Sequence, residues 1–271
     1  MSNVLLRRLL PLVVVAFALL GAGLPLGNLA SAAGATPPAG ELSANIAIGT
    51  LPAACDTAPT GTICTNAVVA GLDNARADVG LGPYVLPTNF DALSGTRQIF
   101  ILSNLDRVAY GLPPIDGLSP TLAPASHSGM LSDNDPDPTA LLAGLATYSW
   151  TSNWAGNWAN APYAYYEWMY DDGYAGAQTT NIDCTSPTAS GCWDHRRNVL
   201  AFASTGTLAL GASVGTDAQG DSSYATTLVW TPGDAWTSYS YTWAQAQADG
   251  AGAPHSSRLS RRGGHRRRST H

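Results

Sequence analysis

The sequence predicts an α+β fold in which helices come first and antiparallel strands follow. Three observations carry this expectation. The run 94–115, SGTRQIFILSNLDRVAYGLPPI, repeats its apolar residues at helical spacing. The runs GTLALGASVG (206–215) and SSYATTLVWT (222–231) are rich in Val, Leu, Thr and aromatic residues, as strands are. The acidic, glycine-containing TDAQGD between them has the composition of a hairpin turn.

Residues 1–33 carry Arg7 and Arg8, an apolar run of 12 residues (9–20) and the small residues Ala30, Ser31, Ala32 and Ala33. That layout predicts a secretory signal peptide, the other reading being an uncleaved N-terminal anchor. The apolar run falls short of the roughly 20 residues a membrane span needs. No later stretch is long and apolar enough to span, so the expectation is a soluble extracellular protein. Residues 34–65, rich in Ala, Pro, Gly and Thr, read as a linker closed by a first cysteine pair.

From 66 to about 175 the signals are mostly helical. The segment 72–87, LDNARADVGLGPYVLP, has the outline of a helix that ends in a Gly/Pro turn, as does 94–115. In the latter, Ser94 stands where a cap belongs, and Ile99, Leu102, Leu105 and Val108 mark the apolar face. Asn104, Asp106 and Arg107 fall on other faces, and Gly111 with Pro113 and Pro114 stops the helix. Trp150, Trp154 and Trp158 recur every fourth residue, and TSNWAGNWANAP after Trp150 is full of Ser, Asn and Gly, so they fit a helix face or an aromatic-lined loop. SYSYTW at 238–243 fits a third short strand or an aromatic clip.

Composition bounds the chemistry. The 271 residues, 45% of them hydrophobic, suffice for one ordinary domain with extensions. The four cysteines allow three pairings. The local pairs Cys55 with Cys64 and Cys184 with Cys192 are preferred because each staples a loop with little core of its own. The formal charge of -6 hides an asymmetry: all 13 basic residues are Arg, two lie in the leader and six lie in 258–271. Five Arg then face all 19 acids in the body, a balance of -14, which argues against nucleic-acid binding. Residues 246–271 read as a disordered basic tail, either a contact for anionic wall polymers and headgroups or a solvated end.

The reactive candidate lies in GCWDHRRNVL (191–200), where His195 stands between Asp194 and the pair Arg196 and Arg197. With an ordinary pKa near 6.5, an imidazole serves as base, acid or metal ligand. Asp194 adjoins it and Asp171 is within reach of the chain, so an orienting acid is available. A zinc site wants at least three protein ligands, and the stretch offers one clear His. The structural alternative packs His195 where the 184–192 loop meets the first late strand, with the arginines as salt-bridge partners for the acids. Glu167, between Tyr166 and Trp168, is either a cleft acid or an exposed helix residue. The clustered aromatics offer a surface for sugar rings or lipid, or simply fill space.

Taken in order, LSNLDRVAYGLPPI, ASHSGM, YEWMYDDG, CWDHRRNVL, LALGASV and TTLVWTPG resemble the motifs of the CAP superfamily. These are the cysteine-rich secretory, antigen-five and pathogenesis-related (SCP-like) extracellular proteins. The resemblance runs over about 90–232 and implies a CAP-like domain at 66–245 of a bacterial type. It implies an α-β-α sandwich with an antiparallel sheet between helical layers, and a cleft that holds two His and two acids in most members. His195 matches the second His, and Asp171 stands where a Glu often follows the Trp-Met helix. Asn157 occupies the place of the Glu in the family's Ala-Gly-Glu-Asn. The first His has no match, its nearest candidates being Asn134, Asp135 and Ser152, and His127 lies outside the set. The resemblance thus implies a degenerate cleft with His195 and Asp171 as reactive candidates, lined by Asn157, Glu167, Trp168 and Arg196. The expected function is binding of a hydrophobic, lipid, glycan or cell-wall ligand by a secreted monomer without a resident cofactor. The alternative is a metal-assisted protease or esterase with a divalent ion at His195.

Overall fold

The computed structural model describes residues 42–174, 181–236 and 238–252. The expected leader and the arginine-rich segment 258–271 lie outside the described residues. In chain order the elements are α1 (Ala54–Thr57), α2 (Thr62–Asp78), α3 (Gly95–Ala109), β1 (Gly117–Leu118), α4 (Ala123–Ser132), α5 (Thr139–Leu142) and β2 (Ser149–Gly156). They continue with α6 (Ala161–Tyr170), α7 (Asp194–Val199), β3 (Thr207–Thr216), β4 (Ser222–Thr231), β5 (Tyr241–Thr242) and α8 (Trp243–Ala248). The protein is therefore α+β, as the patterning predicts. Both late strand runs fall where expected, and β5 begins α8 rather than ending the fold.

The strands form one sheet in the order β2-β4-β3-β1-β5. The sheet is mixed rather than purely antiparallel, because β1 runs parallel to β3 while β2, β4, β3 and the β1–β5 pair are antiparallel. The short β1 is reached from α3 through the Pro113–Pro114 turn, a connection the helix-then-strand pattern does not show.

Alternation along the strands assigns the two faces of the sheet. Leu208, Leu210, Tyr224 and Leu228 join the larger core with α2, α3 and α6. Their neighbours Ala209 and Val229 join a smaller cluster with Leu122 and Leu142. On that second face α4 approaches so closely that a Cβ on Gly211 would lie 2.7 Å from the Leu122 carbonyl oxygen, so the strand needs glycine there. Ser126 and Thr227 pair their hydroxyls at 3.0 Å across the same contact.

Helix α3 departs from the amphipathic expectation. Asn104, Asp106 and Arg107 are fully buried while Val108 is 49% exposed. Burial of polar side chains requires partners, and each has them. Asn104 donates to the Ile115 carbonyl and accepts the Ile115 N–H, closing the Gly-Leu-Pro-Pro turn onto its helix. Arg107 donates to the carbonyls of Pro113, Val199, Ala201 and Phe202. Asp106 pairs with Arg76 and accepts the hydroxyls of Tyr84 and Tyr165, each at 2.6 Å. Apolar spacing alone cannot show a helix that is enclosed all round. Ser94 is the N-cap residue, but its hydroxyl pairs with Thr96 instead of a backbone N–H.

Residues 42–65, which composition groups as a linker, contribute Leu42, Ile46, Ile48 and Leu51 to the core margin. Residues 246–252 complete α8 and pack Ala246 and Ala251 inside. Both expected disulfides are formed, Cys55–Cys64 and Cys184–Cys192. Among the described residues no helix is long and apolar enough to cross a membrane.

Candidate functional site

The segment SWTSNWAG is the edge strand β2, so the spacing of four residues between Trp150 and Trp154 reflects alternation, not a helix face, and Trp158 lies beyond the strand. An edge strand leaves backbone groups without a strand partner, and here side chains take them. Asn198 donates to the Ser152 carbonyl, and the Trp168 indole N–H donates to the Trp154 carbonyl at 3.0 Å. Asp135 accepts the Trp154 backbone N–H. These three contacts bring α7, α6 and the turn after α4 to the same strand, and a cleft opens among them.

Helix α6 supplies one wall. Asn160 caps it, its side-chain oxygen accepting the Tyr163 N–H at 3.0 Å, with Pro162 in the first turn. The helix ends at Tyr170, so Asp171 and Asp172 are the first residues to leave the helical spiral. The turn that follows is clamped from three sides. Asn45 bonds both the N–H and the carbonyl of Gly173, each at 2.7 Å. Asn181 bridges Asp172 to the Gly191 carbonyl. The Trp193 N–H donates to the Asp172 carbonyl at 2.8 Å. A Cβ on Gly173 would collide with the Trp193 ring at 2.1 Å, so glycine is required for that approach. The disulfide loop 184–192 thereby holds the acid rather than merely closing a surface loop.

Helix α7 supplies the base. Trp193, at φ 63°, turns the chain into the helix, and Arg107 binds the carbonyls at its far end. His195 then presents Nδ1 to Asp172 Oδ1 at 2.7 Å, while Nε2 lies 3.8 Å from Asp135 Oδ1. Asp172 also accepts the Arg196 backbone N–H on its second oxygen. Burial opposes charge on the imidazole, but the hydrogen bond and charge of Asp172, with Asp135 and Asp194 nearby, hold its pKa above the ordinary value. Burial pushes the Asp172 carboxyl up from the usual range, against three donors that favour its ionised form.

The cleft has a volume of about 410 Å³ and is lined by His195, the indoles of Trp154, Trp158 and Trp168, the amides of Asn134, Asn157 and Asn181, and six acids. The acids are Asp133, Asp135, Glu167, Asp171, Asp172 and Asp183, and no Arg lines the space. Five of the sequence candidates therefore meet here: His195, Asp171, Asn157, Glu167 and Trp168. The acid on the ring is Asp172, one residue beyond Asp171. Arg196 is placed elsewhere: next to His195 on α7, it turns into the core, donating to the Met169 carbonyl and the Tyr110 hydroxyl. Asp135, named in the sequence only as a stand-in for a missing His, faces Nε2 across the cleft. In the sequence Asp172 stands out only as a possible oxygen ligand for a cation beside Asp171 and Asp183, without calcium-loop spacing, and Asn181 only by its place before a cysteine.

A divalent metal at His195 needs three protein ligands. The imidazole and Asp135 supply two, and among the described residues no three His, Cys, Asp or Glu side chains converge at ligand spacing. The set does not fit a zinc centre.

The fold and site define an α+β protein with a His–Asp pair at the base of an acid-lined, aromatic cleft. Comparison with protein-family models, curated proteins and solved structures returns no match.

Proposed function

We propose that the protein is a secreted, CAP-like binding module that takes a neutral or amine-bearing cell-surface glycan in the cleft around His195. The observation that carries this reading is the lining: the partly exposed Trp154 and Trp158 beside carboxylates and amides, with no basic side chain but the imidazole. Sugars present C–H faces that pack on aromatic rings and hydroxyls that donate to carboxylates. Six acids disfavour an anionic polymer, and carboxylates and amides along the wall make a poor surface for a lipid tail. The family-ordered motifs, the two local disulfides and the leader-like N-terminus support an extracellular setting. Calorimetric titration with soluble neutral cell-wall oligosaccharides tests it. Saturable binding that Trp154→Ala and His195→Ala each weaken at least several-fold supports the reading, and absence of binding to any glycan refutes it.

The His195–Asp172 pair favours a second reading, a hydrolase. A buried acid on Nδ1 fixes the tautomer and leaves Nε2 toward the cleft as a general base for water. Turnover of glycan, peptide or ester substrates that disappears in His195→Ala would establish it.

A further inference from the structure

The cleft does not end at its own wall. Asn157 and Trp158 line it and also line a second concavity of about 460 Å³, whose other walls include Leu51, Pro52, Pro59 and Tyr163. The shared ridge is fixed by its geometry. Asn157 is held at φ 65°, a conformation uncommon outside glycine, and its N–H donates to the Ser222 carbonyl at 2.7 Å. The Trp158 carbonyl accepts the hydroxyls of Ser222 and Tyr224. Its indole packs on Tyr163 with ring centroids 4.8 Å apart, and Tyr163 in turn meets Tyr166 edge-on. Trp158 is thus a braced ring with partial exposure that borders both concavities.

We infer that the two concavities are consecutive subsites of one groove, so that the ligand is a sugar chain crossing Trp158 rather than a single terminal sugar. This rests on the glycan reading above and specifies its substrate class. The second concavity is less acidic than the first: aromatic and proline surface with Asn157, Asp56 and Ser222 as polar partners, and no basic side chain. A partly exposed Trp158 shared by both concavities, with Tyr163 beside it and hydrogen-bonding groups in each, suits a repeating unit that offers a ring face and hydroxyls at each step. The continuity through Trp158 is what selects a chain.

A length series tests this on the full protein. Neutral β-linked oligosaccharides from two to six units, with amine-bearing counterparts, are titrated while tryptophan fluorescence is read. Affinity rising by about tenfold between the shortest and longest chains, the gain one further aromatic stacking contact brings, supports the groove. Tyr163→Ala should then reduce the longest chain to the affinity of the shortest. Tyr163→Phe keeps the ring and should retain the gain, and thermal melts check that both variants fold. Equal affinity at every length overturns the two-subsite groove but leaves the cleft reading standing. No binding at any length overturns both. Binding of a synthetic peptide of residues 258–268, with no sugar bound, overturns the inference in favour of the chain's own arginine-rich segment.

Discussion

The imidazole of His195 and the carboxylate of Asp172 stand 2.7 Å apart, the acid 1% exposed and the ring 19%. The acid is enclosed and the ring opens to the cleft. Asp172 therefore sets the protonation of His195, while Asp171, its neighbour, lines the space without being the ring's partner.

The pair predicts how the two aspartates differ. By NMR titration His195 should titrate above 6.5 in the native protein, since burial is outweighed by Asp172 together with Asp135 and Asp194. Asp172→Asn should lower the value, because burial is then opposed only by Asp135 and Asp194. Asp171→Asn should leave it nearly in place. A larger effect from Asp171 would reassign the partner.

The same shift predicts the direction of pH dependence. The folded imidazole binds its proton more tightly than the unfolded one, so its contribution is complete below the ordinary pKa of 6.5 and is lost as pH rises through the folded value. Asp73 and Asp135, raised chiefly by burial, have the same sign in a lower window that opens at 3.8, since the folded state keeps protons that the unfolded state releases. Asp137 is displaced the other way by Thr139 and lies fully exposed. Thermal midpoints should therefore fall as pH rises above 6.5, and His195→Gln should flatten that slope. A midpoint that climbs over this range would reverse the assignment.

Arg107 joins the α3 turn to the far end of α7 through four buried carbonyls. Arg107→Leu leaves those acceptors without donors and should destabilise the fold by on the order of 3 kcal/mol in urea unfolding. It should also loosen α7, so His195 should lose its raised pKa. Near-native stability in this variant would remove Arg107 from the account.

The Cys184–Cys192 loop holds Asn181, Gly191 and Trp193 against Asp172. Replacing both cysteines by Ala should cost roughly 2–3 kcal/mol by loop entropy, and should broaden the His195 resonance. Loss of stability with an unchanged His195 signal would separate the staple from the site.

Much of this was legible in the sequence for identifiable reasons. The hairpin β3–β4 announces itself because composition, alternation and turn chemistry agree, and the cysteine pairs because short loops favour local closure. β2 hid behind Ser, Asn and Gly: an edge strand partly satisfied by side chains needs little β-branched surface. Asn104, Asp106 and Arg107 looked solvent-facing because periodicity reports apolar residues and says nothing of buried polar partners. His195 stood out by its chemistry. Asp172 did not, since choosing between adjacent aspartates depends on where α6 ends, a boundary that sequence places only to within a few residues.

The central claim is that the cleft at His195 receives a sugar chain. The most direct measurement follows the ring resonances of His195 while a neutral six-unit oligosaccharide is added. A saturable shift of these signals is expected, accompanied by quenching of cleft tryptophan fluorescence and abolished by Trp154→Ala. Signals that stay fixed up to millimolar sugar, or that move equally in the Trp154→Ala protein, would contradict it.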